Sequence, residues 1–323
     1  MPPRQTVLRT PRVALLRQAL DHLDAEAGAR VGADPIAFVH AWAQPADQEV
    51  AAAIASGLAY GRVAAFWPVI QAILDRACQR GGPAAFVRGF DQEDAAVLAP
   101  LQYRWMRGPD LALWCATLGA ALRVHGSLGA IAQAGFHSRD ADIGPCLEHL
   151  VNTLRGLSVG EAARLGSPAT DFAGLPRGFR YLLPRPSDGS ACKRWCMLLR
   201  WMVRPPGDPR RGDGMDLGLW KLPPDRLVVP LDTHVGRLAL LLGLTRRGDG
   251  SWRTATEITR QLARLDPTDP VRFDFALAHL GISGRCTVRQ DGDQPPDPAV
   301  CGSCPLRGPC RIGGRVLQAD ETC

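Results

Sequence analysis

The sequence predicts an all-α protein. Apolar residues recur at three- and four-residue spacing along most of the chain, and no two alternating runs joined by a turn read as a convincing β-hairpin. Hydrophobic residues make up 46% and charged residues 22%, the chemistry of a packed chain rather than a disordered one. At 323 residues the chain suffices for one large domain or two ordinary ones. No apolar run reaches the ~18 residues of a membrane span. The opening MPPRQTVLRTPRVALLRQAL lacks an apolar core and a small-residue cleavage site, so a soluble cytoplasmic protein is expected.

The periodicity places helices at 12–26, 47–59, 63–79, 110–124, 142–156, 190–204, 233–243, 254–265 and 269–280. Asp47 and the pair Asp232-Thr233 stand where N-caps belong. The cluster Leu227-Val228-Val229-Pro230 is too short and proline-bounded to make a sheet. Pro/Gly-rich breaks at 184–189, 205–214 and 291–298 mark loops, and no internal repeat is present. Phe66, Trp105, Trp195 and Trp201 are expected in the core.

Of 38 basic residues only two are lysines, Lys193 and Lys221. Arginine stays protonated whereas lysine can surrender its proton and act as a nucleophile, so a rare lysine is a candidate for amine chemistry. A net charge of +6 permits a nucleic-acid partner without requiring one.

The ten cysteines form two groups. Cys78, Cys115, Cys146, Cys192 and Cys196 are scattered through apolar stretches, where free thiols are common. Cys286, Cys301, Cys304 and Cys310 follow the pattern Cys-x14-Cys-x2-Cys-x5-Cys, with Cys323 ending the chain. Four thiolates from one segment suit a 4Fe–4S cluster or a tetrahedral zinc. Zinc sites of four cysteines more often pair two CxxC couples, and only one is present here, so the cluster is the leading expectation and zinc the alternative. Cys323, 13 residues past Cys310, is not expected to ligate.

Gly284-Arg285-Cys286 with Cys301-Gly302-Ser303-Cys304 and Cys310 resembles the iron–sulfur end of the endonuclease III family of helix-hairpin-helix DNA glycosylases, whose Cys-x6-Cys-x2-Cys-x5-Cys cluster shares the last two spacings. The longer first gap carries QDGDQPPDP with three aspartates, and only Arg289 there suits the phosphate contact that the family's loop makes. Leu231-Asp232-Thr233-His234-Val235-Gly236-Arg237 resembles the family's V-D-T-H-x-x-R motif, whose aspartate is catalytic and begins a helix. By itself an Asp at that position reads as an N-cap, and the two roles are compatible.

The resemblance implies a lysine nucleophile at the start of the helix after a Gly-rich hairpin. Lys193 in PRPSDGSACK takes that place, with the L-P-G-V-G-x-K hairpin degenerate and 39 residues separating Lys193 from Asp232. A helix from Ser190 would set Lys193 one turn in and offer its N–H groups to a phosphate. Lys221, in the insertion GDPRRGDGMDLGLWKLPPDRL eleven residues before Asp232, is the runner-up. Ala59-Tyr60-Gly61-Arg62, CKRW, DLGLWK and PLDTH make the whole chain similar to an uncharacterised bacterial family related to archaeal 8-oxoguanine glycosylases.

The resemblance therefore implies a two-lobed fold: residues 46–221 as a helical barrel with the degenerate hairpin, and 222–323 with the N-terminal 1–45 as the cluster-bearing lobe. It implies base-excision glycosylase and AP-lyase activity on double-stranded DNA bearing a damaged base such as 8-oxoguanine, by a monomer associated with the nucleoid. Lys193 and Asp232 are the catalytic candidates. Tyr60, Arg62, Gly189, Ser190, Arg194 and His234 are candidates for contacting DNA or the lesion, with Tyr60 equally readable as a half-buried core aromatic. Arg104, Arg177, Arg180 and Arg185 are either phosphate contacts or surface charge. The rival reading is a non-catalytic DNA-binding protein that uses an iron–sulfur cluster or zinc for structure.

Overall fold

The computed structural model describes residues 10–27, 34–207, 215–284, 286 and 297–312. The fold is mostly helical. Its helices are α1 (Thr10–Ala27), α2 (Ala37–His40), α3 (Pro45–Leu58), α4 (Val63–Gln79), α5 (Pro83–Arg88), α6 (Gln92–Leu98), α7 (Gly108–His125) and α8 (Leu128–Ala134). They continue with α9 (Gly144–Arg164), α10 (Arg177–Arg180), α11 (Lys193–Val203), α12 (Thr233–Leu242), α13 (Trp252–Leu262), α14 (Asp274–Ile282) and α15 (Pro298–Gly302). One antiparallel ribbon, β1 (Gln102–Tyr103) with β2 (Met106–Arg107), departs from the expectation of no hairpin. Its strands are two residues each, too short to leave an alternating signature, and Arg104 turns between them at a φ of 54°.

Packing follows the apolar faces. The central α7, buried along nearly its whole length, is flanked by α5, α6, α8, α9 and α10. Helix α3 touches α2, α4, α5 and α11, while α1 and α12 both pack on α14, bringing the first described helix against one near the far end of the chain. A continuous hydrophobic core runs from Leu16 on α1 through Trp114 and Trp201 to Leu306. Phe66, Trp195 and Trp201 belong to it, as expected. Trp105 does not: it is 44% exposed, because it sits at the turn of the ribbon.

Buried Glu49 of α3 staples three parts of this core. It accepts N–H bonds from Leu128 (3.0 Å) and Gly129 (2.9 Å) at the start of α8, and from the Trp220 indole (2.8 Å). Burial raises its pKa, and these three donors oppose the rise. No single described helix is long and apolar enough to cross a membrane; α7 and α8 pass together by composition but are bent by 64°.

Candidate active site

The segment leading into α11 is the structurally unusual part of the chain. A single 3₁₀ turn at Pro186–Asp188 ends in left-handed Gly189. Ser190 then bridges to Ser251, and the Ala191 N–H donates to the Gly250 carbonyl at 3.1 Å. Cys192 adopts a φ of 50°, a conformation that L side chains rarely take. The helix therefore begins at Lys193 and not at Ser190, which corrects the expected boundary and puts Lys193 at the first helical position rather than one turn in. The bridge to a loop 61 residues further along explains the difference, since it holds Ser190 and Ala191 extended.

Lys193, Met197, Arg200 and Arg204 share one face of α11, at helical spacings of four, seven and eleven. The Lys193 amine lies 3.7 Å from the Met197 sulfur and has no carboxylate within ion-pair distance among the described residues. Desolvation pushes its pKa down. Asp232, Asp34 and Asp274 pull it back up, and Arg194 adds to the depression. Three carboxylates from three separate elements thus act on one amine. Asp34 and Asp274 carried no local sequence signal, because only the fold brings them near Lys193. Lys221 is exposed on the loop between buried Trp220 and Leu222.

Asp232 caps α12. Its Oδ1 accepts from the N–H groups of His234 (2.9 Å) and Val235 (2.8 Å), which keeps the second carboxylate oxygen out of the cap. His234 packs against α14: a Cβ on Gly281 would come within 2.5 Å of the His234 Cβ, so this crossing requires glycine. Further along that face of α11, Arg200 pairs with Asp274 (2.8 Å) and Asp216 (3.3 Å), and Arg204 pairs with Asp216 and Asp269 at 2.7 Å each. Burial raises the Asp274 carboxyl to about 6 against the opposing pull of Arg200.

All three tyrosines of the chain meet beside α11. Tyr60 lies 4.8 Å from Tyr103, 5.1 Å from Tyr181 and 5.5 Å from Trp105 between ring centroids. Arg194 is buried beneath them, its guanidinium over Tyr181 (4.2 Å) and Tyr60 (5.2 Å) and donating to the Gly57 and Tyr181 carbonyls. It is thereby committed inside the protein. Arg104 covers Trp105 at 4.9 Å from outside. The Tyr60 hydroxyl is buried and has no hydrogen-bond partner among the described residues, whereas Trp105 and Tyr181 are 44% and 40% exposed. Arg62, Arg177 and Arg180 are exposed; Arg185 is not a free cation, being held by Asp188 at 2.7 Å and by Asn152 at 3.0 Å.

Cys286 follows α14, Cys301 lies in α15, and Cys304 and Cys310 lie in the turns after it. These four are partly buried, and none of the described cysteines is in a disulfide. Burial raises the Cys301 and Cys304 thiols; Cys310 and Cys286 add to the rise at Cys301, and Cys286, Cys310 and Cys301 add to it at Cys304. Among the described residues no three His, Cys, Asp or Glu side chains converge on a single ion position. Four cysteine sulfurs are a donor set that either a tetrahedral zinc or an iron–sulfur cluster can use. The segment is tied to α12: the Arg311 N–H donates to Leu241 (2.9 Å), Arg12 to Leu242 (3.1 Å) and Pro309 (2.9 Å), and Arg237 to the Cys286 carbonyl (2.8 Å). Arg285, Arg289 and Cys323 lie outside the described residues.

No curated protein and no solved structure matches the chain. The family model for the protein of unknown function DUF2400 matches residues 34–283, a span that includes Lys193 and Asp232 and stops short of the four cysteines. The chain is a member of the DUF2400 family.

Proposed function

We propose that this protein is a DNA base-excision glycosylase with AP-lyase activity, in which Lys193 is the nucleophile and Asp232 the stabilising carboxylate. The observation that carries the reading is the state of the Lys193 amine: desolvated, without a direct carboxylate partner, yet within the field of Asp232. An ordinary surface lysine, at a pKa of ~10.4, is almost wholly protonated near neutral pH and is a poor nucleophile. Depression of the pKa enlarges the neutral fraction, which is what amine catalysis needs.

The steps follow from that state. The target nucleotide leaves the stack and enters a pocket, at a cost of a few kcal/mol. Positive charge develops on the sugar as the N-glycosidic bond stretches, and the Asp232 carboxylate opposes it. The neutral Lys193 amine bonds to C1′ while the base departs with the glycosidic electron pair. Loss of the amine proton and opening of the sugar ring give a Schiff base, and removal of a C2′ proton then expels the 3′ phosphate by β-elimination. The exposed rings of Trp105 and Tyr181 beside Tyr60 offer a stacking surface for a base. The fold this reading takes is the two-lobed helix-hairpin-helix arrangement, with the hairpin replaced by the turn at Pro186–Asp188.

The four cysteines fit a 4Fe–4S cluster, which would cross-link the segment after α14 and contribute structure. The non-catalytic alternative predicts that DNA binding survives without any covalent chemistry. Borohydride trapping on duplexes carrying oxidised purines separates the two. Wild-type protein should form a covalent adduct, Lys193→Gln should lose it while binding persists, and Lys221→Gln should retain it. Loss of the adduct in Lys221→Gln alone, or no adduct over a panel of lesions, overturns the assignment.

A further inference from the structure

A second surface stands beside the turn that precedes Lys193. A groove of about 480 Å³ is lined by Pro186 and Gly189 from that turn, Asp142, and Arg247, Ser251, Trp252, Arg253, Thr256 and Arg260 from α13 and the residues before it. Its α13 wall is firmly built. Ala255, Ile258 and Leu262 point into the core, and Ser251 caps the helix by accepting from the Thr254 N–H. Asp249 binds the Ser251 and Thr254 hydroxyls and pairs with Arg247, and these contacts hold its carboxyl down to about 2. The positive end of the helix is already answered by that carboxylate, so it is not what would attract an anion.

Arg253 and Arg260 are different from Arg247. Both are exposed, and neither guanidinium group has a hydrogen bond or ion pair to any described residue. Glu257 lies between them on α13 and Asp142 on the facing wall, and neither carboxylate is within ion-pair distance of the two guanidinium groups. Seven residues apart, they project from one face of α13, about 10 Å from each other along the helix axis. Two uncommitted arginines at that separation suit a repeating anion better than a single phosphate. A nucleic-acid strand, with one charge every 3.4 Å of axis, supplies several phosphates over that length.

We propose that this groove binds the phosphodiester backbone of duplex DNA through Arg253 and Arg260. The proposal rests on the reading of the protein as acting on DNA and adds where the strand lies. Backbone bonds couple the groove to the site: Trp252 N–H donates to the Gly189 carbonyl at 3.3 Å, and Ser190 is bridged to Ser251 three residues before Lys193. A strand seated on α13 thereby engages the loop that presents the amine.

The test is the salt dependence of binding to an undamaged duplex, measured between 50 and 200 mM salt for the wild type, for Arg253→Ala/Arg260→Ala, and for Arg88→Ala on α5 as a remote exposed control. Each phosphate contact contributes about 0.9 to the slope of log K against log salt, so the double variant should lose nearly 2 from the slope and bind at least tenfold more weakly at low salt. Arg88→Ala should match the wild type, and borohydride trapping by the double variant should recover at saturating lesion DNA. A double variant with the wild-type slope overturns the groove assignment while leaving the DNA reading intact. A wild-type protein that does not bind duplex at all overturns the DNA reading itself.

Discussion

Replacing Asp232 separates its capping role from the catalytic one proposed for it, because asparagine and alanine remove different things. Asn keeps a side-chain oxygen able to accept the His234 and Val235 N–H bonds of 2.9 and 2.8 Å, and it caps a helix about as well as Asp. Asp232→Ala removes the cap, at about 1 kcal/mol, and should lower Tm by about 1–2 °C relative to Asp232→Asn. Both substitutions remove the charge. Two unit charges 4 Å apart at an effective dielectric of 20 interact by about 4 kcal/mol, and the Asp232–Lys193 separation exceeds ion-pair distance, so the coupling lies below that limit. Its sign is fixed: the carboxylate favours the ammonium form, and removing it should depress the Lys193 pKa further. The chain lends itself to the measurement, since it holds only two lysines. Reductive methylation with 13C-formaldehyde gives one resonance each for Lys193 and Lys221 and one for the chain terminus, and the Lys193 signal can be titrated in each variant. Its midpoint should lie below the ordinary lysine value in the wild type and lower still in both variants. Trapping should collapse in both, since in the proposed mechanism the carboxylate acts on charge that appears in the transition state. A Lys193 midpoint unmoved by Asp232→Asn would refute the electrostatic link on which the mechanism depends.

Glu49→Ala strands two buried amides and an indole N–H and should cost about 3–5 kcal/mol in denaturant unfolding, with Glu49→Gln milder because one oxygen survives. Gly281→Ala drives a methyl into His234 and should destabilise by about 1–3 kcal/mol while reducing trapping, since the strain falls next to the Asp232 cap. Asp188, held at about 2 by Arg185 and Arg155, binds fewer protons folded than unfolded between pH 4 and 2, so its stabilisation is present above that window and lost as pH falls through it; Asp188→Asn should flatten the Tm profile there. Anaerobically purified protein should carry about four irons per chain, lost with Cys304→Ala and retained with Cys323→Ser; one zinc and no iron would reverse the metal assignment.

What the sequence disclosed depended on how local the cause was. Helix α4 spans Val63–Gln79, as its periodicity predicts, because an amphipathic stripe is written in consecutive residues. Asp232 reads as a cap in sequence and is one. Helices α6 and α8 leave no periodic signal in the sequence even though Asp91, paired with Asp94, and Ser127 cap them, because seven residues are too few to establish a period. The start of α11 has a nonlocal cause: its preceding loop pairs with Ser251, a partner that PRPSDGSACK does not encode locally. The same holds for Tyr60, Tyr103 and Tyr181, which lie far apart in sequence and become one aromatic cluster only through the ribbon and α10. Asp34 and Asp274 belong with them, being carboxylates whose effect on Lys193 exists only in the folded chain.

Helix α12 connects the two features that were legible as motifs. Its N-terminus holds Asp232, and its C-terminus meets the cysteine segment through the Arg311 N–H bond to Leu241 and through Arg12 of α1, which donates to both Leu242 and Pro309. Gly243 closes the helix with a φ of 71°, and a Cβ there would fall 2.8 Å from the Arg311 guanidinium, so the end of α12 is shaped around that arginine. The ten-residue helix spans about 15 Å and is rigid over that length. A centre that fixes the four cysteines would therefore fix the far end of the lever whose near end carries the carboxylate. Electron transfer is not needed for this coupling. It follows that loss of the centre should act on trapping through the position of Asp232 rather than through Lys193. The lysine resonance should then shift in the same direction in Cys304→Ala as in Asp232→Asn, because in both the carboxylate's charge is withdrawn from the amine.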